Sequence, residues 1–379
     1  MALVLNEEQR MLKDSAKDFL SATMPVAALR QLRDSGEGQD YNSDHWQQMV
    51  ELGWAGIVLP EQYGGLDFGY QGLGAIIEES GRRLAASPLI SNIVLCSSAL
   101  LLAGNDAQKD RFLPAIASGD LTLALALDEG NHHDPAATAL SVKQQGSQYQ
   151  LNGRKVMVME GNSADHFIVV ARSSGMPGEA SGLSLFLLGA DQPGVSRESR
   201  CILDSRGYAT VNFDQVTLDA DALLGEWDKA WPILEQVLDR GRICLAAEML
   251  GGALECFERT VEYLKEREQF GVKIGTFQAL QHRAAIMFTE LELCKSAVLD
   301  ALSAIDDGRP DAPQLASLAK TLANDVFQLV STESVQMHGG IGVTDELDIG
   351  LFLKRCRSAT ELLGNSGFHR DRYASLCGY

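Results

Sequence analysis

The chain has 379 residues, which is long for one hydrophobic core and predicts two or three packed units. Hydrophobic residues make up 45% of it and charged residues 22%, the proportions of an ordinary globular protein, which exclude a disordered or fibrous chain. Its 32 basic and 51 acidic side chains give a net charge of −19, which argues against binding to nucleic acid or to anionic membranes.

Cysteine usage points to a reducing compartment. The seven cysteines are scattered and odd in number, and none is spaced as Cys-x-x-Cys. This pattern is typical of reduced, mostly buried thiols in a cytoplasmic protein without a metal site. No basic region precedes an apolar core at the N-terminus, so we expect no secretory signal.

Residues 1–118 are predicted to form an N-terminal α-helical domain, because apolar residues recur at helical spacing between turn signals. Asn6 can cap a first helix that runs through Phe19. Residues 84–104 carry no charge, but Pro88, Asn92 and several serines interrupt them. We interpret this stretch as a buried helix pair rather than a membrane span.

Residues 119–222 predict a middle domain of different periodicity. Short apolar or alternating runs cover residues 123–127, 149–153, 167–171 and 183–188, with clusters of Gly, Pro, Asn and Ser between them. This arrangement is typical of an antiparallel β-sandwich or barrel. Within it, the dipeptide Asn152-Gly153 favours a hairpin turn.

Residues 223–379 predict a C-terminal four-helix bundle, because helical periodicity returns there and continues almost to the end. One helix is expected to end at Phe270-Gly271, and the next to begin near Thr276. The first of these helices is expected to bury Leu254, Phe257, Val261 and Leu264.

Two polar signatures lie on these helices. Arg267 falls at the C-terminus of the first helix, and Gln278 falls in the first turn of the next. Arginine offers a planar fork of donors suited to a pyrophosphate, and glutamine offers an amide suited to a ribose or amide edge. Further along, Gln336 lies one helical turn before Gly339-Gly340, where the absence of side chains lets the backbone approach a bulky anionic ligand.

In chain order, the signatures read Arg-x-x-Phe-Gly, then Phe-Gln, then Gln-x-x-Gly-Gly-x-Gly. With these motifs the chain resembles the acyl-CoA dehydrogenase family, and the resemblance covers essentially its whole length. The resemblance implies an α+β multidomain fold with the helical, β and helical-bundle domains in that order. It also implies an FAD cofactor whose adenosine diphosphate half is held across a subunit boundary. The implied cofactor contacts are Arg267, Phe270, Gly271, Gln278, Gln336, Gly339 and Gly340.

The activity implied by the resemblance is α,β-desaturation of an acyl-CoA thioester. In the family a carboxylate removes the α-proton while the β-hydrogen leaves as hydride to the flavin. Arg242 matches an active-site arginine of the family and is implied to bind the acyl-CoA. Electrons are implied to pass to an electron-transfer flavoprotein.

The chain departs from the family where the chemistry should occur. The usual catalytic Glu falls on Leu363, and the alternative position of the base falls on Gly241, so the catalytic residue is unknown. Residues 127–134 and 157–159 replace the motifs that line the flavin ring in the family. The adenosine-side motifs are therefore kept, whereas the ring-side motifs are degraded.

Several interpretations remain open. In the first, the chain is a non-catalytic small subunit that provides contacts to the FAD adenosine for a related catalytic partner. Small subunits of pimeloyl-CoA and steroid side-chain dehydrogenases resemble the chain at residues 278–283 and 364–370. In the second, a homo-oligomer uses Glu361, Asp239 or Glu248 as its base. A homo- or heterotetramer is expected in either case. An assembly scaffold is disfavoured by the retained flavin contacts, and an oxidase of the same fold stays open.

The neighbouring His132 and His133 suggest a metal site or an acid–base pair. No third ligand is evident at matching spacing. We therefore favour a plain pair of loop histidines.

Overall fold

The computed structural model describes residues 4–35 and 38–379. Helices come first, then a β-sheet, then helices again, as the sequence predicts. Residues 1–3, where the predicted N-terminal domain begins, lie outside the described residues.

The N-terminal helices start from well-defined caps. Asn6 closes a capping box with Gln9, whose side chain accepts from the Asn6 backbone N–H at 2.9 Å, so the predicted cap is confirmed and the first helix continues to Thr23. A Pro60-Glu61 turn and the left-handed Gly64 follow further on. The helices are α1 Glu7–Thr23, α2 Val26–Ser35, α3 Ser43–Glu51, α4 Tyr70–Arg83, α5 Ser97–Ala103 and α6 Asp106–Ala117.

The uncharged stretch after α4 is buried and helical, as predicted, but its first helix is a π-helix, Leu89–Cys96, which leads directly into α5. Pro88 precedes it. The buried Asn92 amide donates to the Leu121 carbonyl at 3.3 Å and accepts from the Leu123 N–H at 3.1 Å, which ties this helix to the start of the sheet. Among the described residues, no helix is both long and apolar enough to cross a membrane.

The middle of the chain forms one eight-stranded sheet with strand order β6-β7-β3-β2-β4-β5-β8, in which β1 pairs with β4. Most pairings are antiparallel, as predicted, but β1 runs parallel to β4, and a single β2–β4 pairing is also parallel. The strands are β1 Leu123–Ala126, β2 Ser141–Gln145, β3 Gln148–Met159, β4 His166–Arg172, β5 Leu183–Gly189, β6 Val195–Cys201, β7 Gly207–Leu218 and β8 Leu223–Leu224. Their inward side chains, with Phe167, Phe186 and Phe213 among the largest, form the core of this region.

The predicted hairpin turn at Asn152-Gly153 is wrong. Both residues lie inside β3, and the chain reverses earlier, between Gln145 and Gln148, with Gly146 at φ 63°. Gly153 instead marks an irregular register against β7, and a β-carbon there would lie 2.9 Å from Leu140. Glycine is often found inside a strand where another segment of backbone approaches closely, so Gly153 needs no turn to explain it.

The C-terminal region contains α7 Trp231–Glu266, a short hairpin of β9 Glu268–Gln269 and β10 Val272–Lys273, α8 Gln278–Asp306, α9 Ala312–His338, α10 Ile349–Glu361 and α11 Ser366–Leu376. The predicted bundle is confirmed, with α11 as an additional short helix, and α9 packs against α8, α10 and α11.

The prediction that α7 buries four apolar side chains is largely wrong, because of the four only Leu264 is buried. The other three residues, Leu254, Phe257 and Val261, are half-buried.

The described residues divide into two compact units, and the chain passes from one to the other after Arg30 in α2, after Gly69, after Ala85 and after Gly241 in α7. One unit contains residues 4–30, Tyr70–Ala85 and Arg242–Tyr379. The other contains the described part of Gln31–Gly69 together with Ala86–Gly241. The three domain boundaries expected from sequence periodicity stay a prediction.

Candidate functional site

The first signature lies on the hairpin that joins α7 to α8. Arg267 directly follows α7, and its carbonyl accepts from the Ile274 N–H at 2.9 Å, which closes the hairpin onto it. Phe270 and Gly271 form the two-residue turn with φ of 55° and 77°, the sign pattern of a type I′ turn. A bulky residue rarely adopts this left-handed conformation. Phe270 is nevertheless held there with 91% of its surface exposed.

Gln278 is the first residue of α8, as predicted. The N-cap residue Phe277 supplies no side-chain cap, so the first N–H groups of α8 lack that partner. The side chains of Arg267 and Gln278 are both exposed. The hairpin therefore presents a cation, an amide and a helix N-terminus on the surface of the unit.

The second signature lies where α9 ends. Gly339 has φ 64° and ψ −139°, a conformation that only glycine adopts readily. A β-carbon on Gly339 or on Gly340 would meet no atom within 4 Å, so both glycines border open space. Gln336 is exposed one turn earlier. The backbone at this turn is thus accessible to a large ligand.

A stacked ring pair connects the two signatures. Tyr263 of α7 stacks on His338 of α9 with ring centroids 4.3 Å apart, and its hydroxyl donates to the His338 carbonyl at 3.4 Å. His338 Nδ1 donates to the Ser334 carbonyl at 2.7 Å, and burial lowers the pKa of this imidazole. A neutral His338 therefore fixes the end of α9 beside the end of α7.

Leu363, at the position where the family's base is expected, has no carboxylate. Leu363 is 4% exposed and adopts φ 56°, and Gly364 follows at φ 111°. The Leu363 carbonyl accepts from Arg242 Nε at 3.3 Å and from His369 Nε2 at 3.1 Å. Gly241, the alternative position, has no side chain and lies within α7.

Arg242, the predicted substrate contact, is fully buried and lies with its Cζ 5.4 Å from the centre of the Phe368 ring. Its position beside Leu363 agrees with a location near the expected reaction centre, and its role toward substrate stays a prediction.

The three alternative carboxylates differ in their surroundings. Glu248 is buried in a bidentate ion pair with Arg355, with N–O distances of 2.8 and 3.1 Å. Glu361 is exposed and accepts from Asn365 at 3.3 Å. Asp239 is 6% exposed. Glu248 is thus engaged by an arginine and Glu361 faces solvent, so neither resembles a base held in an apolar pocket.

Sequence reasoning missed Lys320, a buried cation beneath the same turn. Its Nζ donates to Asn324 Oδ1 at 2.6 Å and to the Ala359 and Gly364 carbonyls at 3.0 and 3.1 Å. Burial lowers its pKa to about 7. The signal was a single lysine within the apolar run of α9, which spacing alone cannot distinguish from a surface residue.

Residues 127–134, which replace a flavin-ring motif of the family, bind to one another and to β3. His133 Nδ1 donates to Asp128 Oδ1 at 3.1 Å. The buried Lys155 Nζ donates to Glu129 Oε1 at 2.7 Å and to the Leu127 carbonyl at 2.7 Å. The Glu129 carboxylate also accepts the backbone N–H groups of residues 139 and 140, each at 2.9 Å. The polar side chains of this loop are therefore engaged within the protein, by one another, by Lys155 and by the backbone of residues 139 and 140. We call this the closed loop.

The second ring-side motif lies on a bulge of β3. Its register against β7 shifts between Lys155 and Val158, and Met157 sits in the shift with φ 54°. Val158 points into the core, whereas Met157 and Met159 are half-buried. Thioethers at these two positions offer no hydrogen-bond donor to a flavin ring.

The histidine pair does not act as a unit, because His133 bonds to Asp128 whereas His132 is exposed. Across residues 4–35 and 38–379, no group of three His, Cys, Asp or Glu side chains could hold a metal ion.

The described residues suit the adenosine diphosphate half of FAD but not its flavin ring. Open space beside the two glycines, the exposed guanidinium and the exposed amides suit an adenosine diphosphate. The closed loop and the two methionines do not suit a flavin ring.

Models of the acyl-CoA dehydrogenase family match three consecutive parts of the chain. The N-terminal domain matches residues 6–120, the middle domain residues 126–220 and the C-terminal domain residues 228–375.

Individual relatives match almost end to end. The mitochondrial isovaleryl-CoA dehydrogenase of Pongo abelii is 33% identical over 359 residues, which cover 92% of this chain and 84% of that protein. Butyryl-CoA dehydrogenase from Megasphaera elsdenii superposes with a TM-score of 0.93 at 26% identity, covering 100% of both chains. A variant of the steroid ACAD Tcur3481-Tcur3483 superposes with a TM-score of 0.87 at 31% identity, covering 98% of each. The chain therefore belongs to the acyl-CoA dehydrogenase family, the FAD-dependent oxidoreductases that act on the CH–CH bond of acyl-CoA thioesters.

Proposed function

We propose that this chain is the subunit of an acyl-CoA dehydrogenase that binds the adenosine diphosphate half of FAD, while a related partner subunit supplies the flavin-ring contacts and the catalytic base. The observation that carries the proposal is the buried Leu363 in the turn where the base is expected. A leucine accepts no proton, and the side chains of Arg242, His369 and Lys320 donate to backbone carbonyls of this turn.

On the adenosine side, Arg267 neutralises the pyrophosphate and Gln278 and Gln336 offer amides to the ribose or to the phosphate oxygens. Phe270, Gly271, Gly339 and Gly340 shape the surface that the dinucleotide covers. A local cation matters here because the chain carries a net charge of −19, which opposes any anionic ligand. When bound, FAD supplies the hydride acceptor of the desaturation.

On the ring side, the chain's own residues keep the loop at 127–134 closed. The Glu129–Lys155 ion pair and the Asp128–His133 hydrogen bond occupy the polar groups that would otherwise face a ligand. Proton abstraction from the acyl-CoA α-carbon is then assigned to a carboxylate of the partner, with a pKa matched to the task by burial.

The partner is proposed to be a related polypeptide in a heterotetramer, as in the small subunits of pimeloyl-CoA and steroid side-chain dehydrogenases. The similarity to the steroid ACAD Tcur3481-Tcur3483, which bears two protein designations, supports this choice over a homotetramer. We further propose an electron-transfer flavoprotein as the acceptor. The scattered spacing of the seven cysteines, none of them in a Cys-x-x-Cys pair, supports a cytoplasmic location.

A pure assembly scaffold is less well supported. A scaffold has no use for an exposed arginine beside a strained hairpin turn or for a glycine turn that borders open space.

The proposal predicts that Arg267→Ala weakens FAD retention in the enzyme purified with its partner, because the pyrophosphate loses a charge-assisted bidentate bond worth about 1.5–3 kcal/mol. Equilibrium dialysis against free FAD measures the effect. Arg200→Ala is a matched control, since Arg200 is a partly exposed arginine on β6 that pairs with Glu198 at 2.9 Å. Equal FAD affinity in the two variants would count against the assigned role of Arg267.

A further inference from the structure

Two acidic residues follow the glycine turn of the second signature within a few positions. Asp345 and Asp348 lie between Val343, where the turn ends, and α10, which begins at Ile349. Arg30 reaches both of them: its Nε donates to Asp348 Oδ1 at 3.0 Å, and its Nη1 donates to Asp345 Oδ2 at 3.1 Å. One guanidinium therefore bridges the two ends of the segment that leaves the turn.

A second arginine holds Asp348 from α7. Arg259 Nη1 donates to Asp348 Oδ2 at 2.8 Å, while its Nε donates to Glu255 Oε1 at 2.8 Å. Its Cζ also lies 5.5 Å from the centre of the Phe352 ring of α10. Each Asp348 oxygen thus accepts from a different arginine, which fixes the carboxylate in position and orientation.

The same series of ion pairs continues from α7 into α4. Arg83 Nη1 donates to the same Glu255 oxygen at 3.1 Å, and Arg82 lies 3.7 Å from the other oxygen. Arg82 also donates to Glu258 at 2.9 Å. The segment after the glycine turn is therefore tied to two long helices by a continuous series of ion pairs, which rigidify more than isolated pairs do.

Electrostatics explains why this segment needs two arginines. Asp345, Glu346 and Asp348 place three acidic side chains within four residues, directly after a turn proposed to receive a pyrophosphate. Like charges this close repel one another and the ligand. Arg30 and Arg259 offset that repulsion and hold the backbone in one conformation.

The geometry points to Arg30 and Arg259 as positioning residues for FAD binding: through Asp345 and Asp348 they fix the Gly339–Val343 turn in the shape that receives the adenosine diphosphate half. This inference rests on the proposed function. It assigns the two arginines no contact with FAD, so they act only through the turn.

The test compares Arg30→Gln and Arg259→Gln in the enzyme purified with its partner. We expect FAD, used as the probe, to bind about two- to fivefold more weakly in each variant, the range for partly exposed ion pairs. Hydrogen exchange of residues 339–346 should be faster in the apo form of both. Adding Asp348→Asn to Arg259→Gln should weaken FAD binding by less than the product of the single effects, because both changes break the same contact.

Arg309→Gln is the matched control. Arg309 likewise bonds to two aspartates, Asp300 at 2.6 Å and Asp311 at 2.6 and 2.9 Å, but at the junction of α8 and α9. It should leave FAD affinity and exchange of the turn unchanged. The melting temperature of each apo variant reports misfolding, and Arg30→Lys, which keeps the charge but loses the fork, should bind FAD with intermediate affinity.

Three outcomes are decisive. Weaker FAD binding with faster exchange in both arginine variants, but not in Arg309→Gln, supports the inference. Unchanged FAD binding in Arg30→Gln and Arg259→Gln overturns it while leaving the proposed function intact, provided Arg267→Ala still loses FAD. If Arg267→Ala also keeps its FAD, the proposed function itself fails.

Discussion

At the scale of single residues, the two glycines at the end of α9 are required for different reasons. Gly339 needs its backbone freedom, because φ 64° with ψ −139° strains any other residue. Gly340 has no such need, since its φ is not positive and a β-carbon there would meet no atom within 4 Å. Under the proposed function, its lack of a side chain leaves room for the adenosine diphosphate half of FAD.

Gly340→Ala should therefore leave the stability of the free chain within about 0.5 kcal/mol of the parent. FAD binding should weaken by about 1 kcal/mol or more, because the new methyl group occupies ligand space. Gly350→Ala is the control: Gly350 lies in α10 and is equally free of neighbours within 4 Å. Thermal melts and FAD titrations of both variants check this, and equal FAD affinities would contradict the assignment.

The sequence predicted residues whose roles are local and missed those whose partners are distant. Arg267, Gln278 and Gly339 sit at helix ends that spacing and turn residues mark, so their placement followed from the pattern. Lys155 and Lys320 are buried because carbonyls or carboxylates from remote segments surround them. Nothing local distinguishes such a lysine from a solvated one.

At the scale of elements, periodicity identified the type of each region but not every strand or turn. Strand β6, Val195–Cys201, is largely exposed and polar, so it lacks the apolar alternation that predicts a strand. Pairing along its whole length with β7 creates it. Likewise, the Asn152-Gly153 dipeptide resembles a hairpin turn, but the long β3–β7 pairing incorporates it into a strand.

The end of α10 carries a pH-dependent contribution to stability. Lys320 caps it through the Ala359 carbonyl, and burial lowers the lysine pKa from an ordinary 10.5 to about 7. Between these two pH values the unfolded chain binds more protons than the folded one, so the lysine's contribution to the free energy of unfolding rises with pH. Below about pH 7 both states are protonated and the contribution is constant.

The free energy of unfolding of the parent should therefore rise relative to that of Lys320→Met as the pH increases from 7 toward 10. Urea unfolding at several pH values measures the difference in free energy of unfolding between the two proteins. The contributions of the other titratable groups cancel in this difference. Lys143→Met, at an exposed position on β2, is the control for the replacement of a lysine by methionine. A difference for Lys320→Met that stays constant between pH 7 and 10 would show that the Lys320 pKa is not lowered in the folded chain.

At the scale of the whole molecule, large apolar side chains are exposed on the elements that carry the proposed FAD contacts. The exposed side chains on the hairpin, on α8 and on the glycine turn are Phe270, Val272, Phe277, Ile286, Phe288, Leu293, Ile341 and Val343. Such a surface marks an interaction site. It agrees with a cofactor held across a subunit boundary.

The central claim is that this chain completes only the adenosine side of a shared flavin site. The most direct test is the flavin-to-protein ratio, by absorbance, of the chain purified alone and then co-expressed with its related partner. We predict a ratio near zero for the chain alone, rising to about one FAD per pair of chains with the partner, since each shared site needs both subunits. A ratio of about one FAD per chain in the absence of any partner would contradict the account, because the chain would then bind the flavin ring without help.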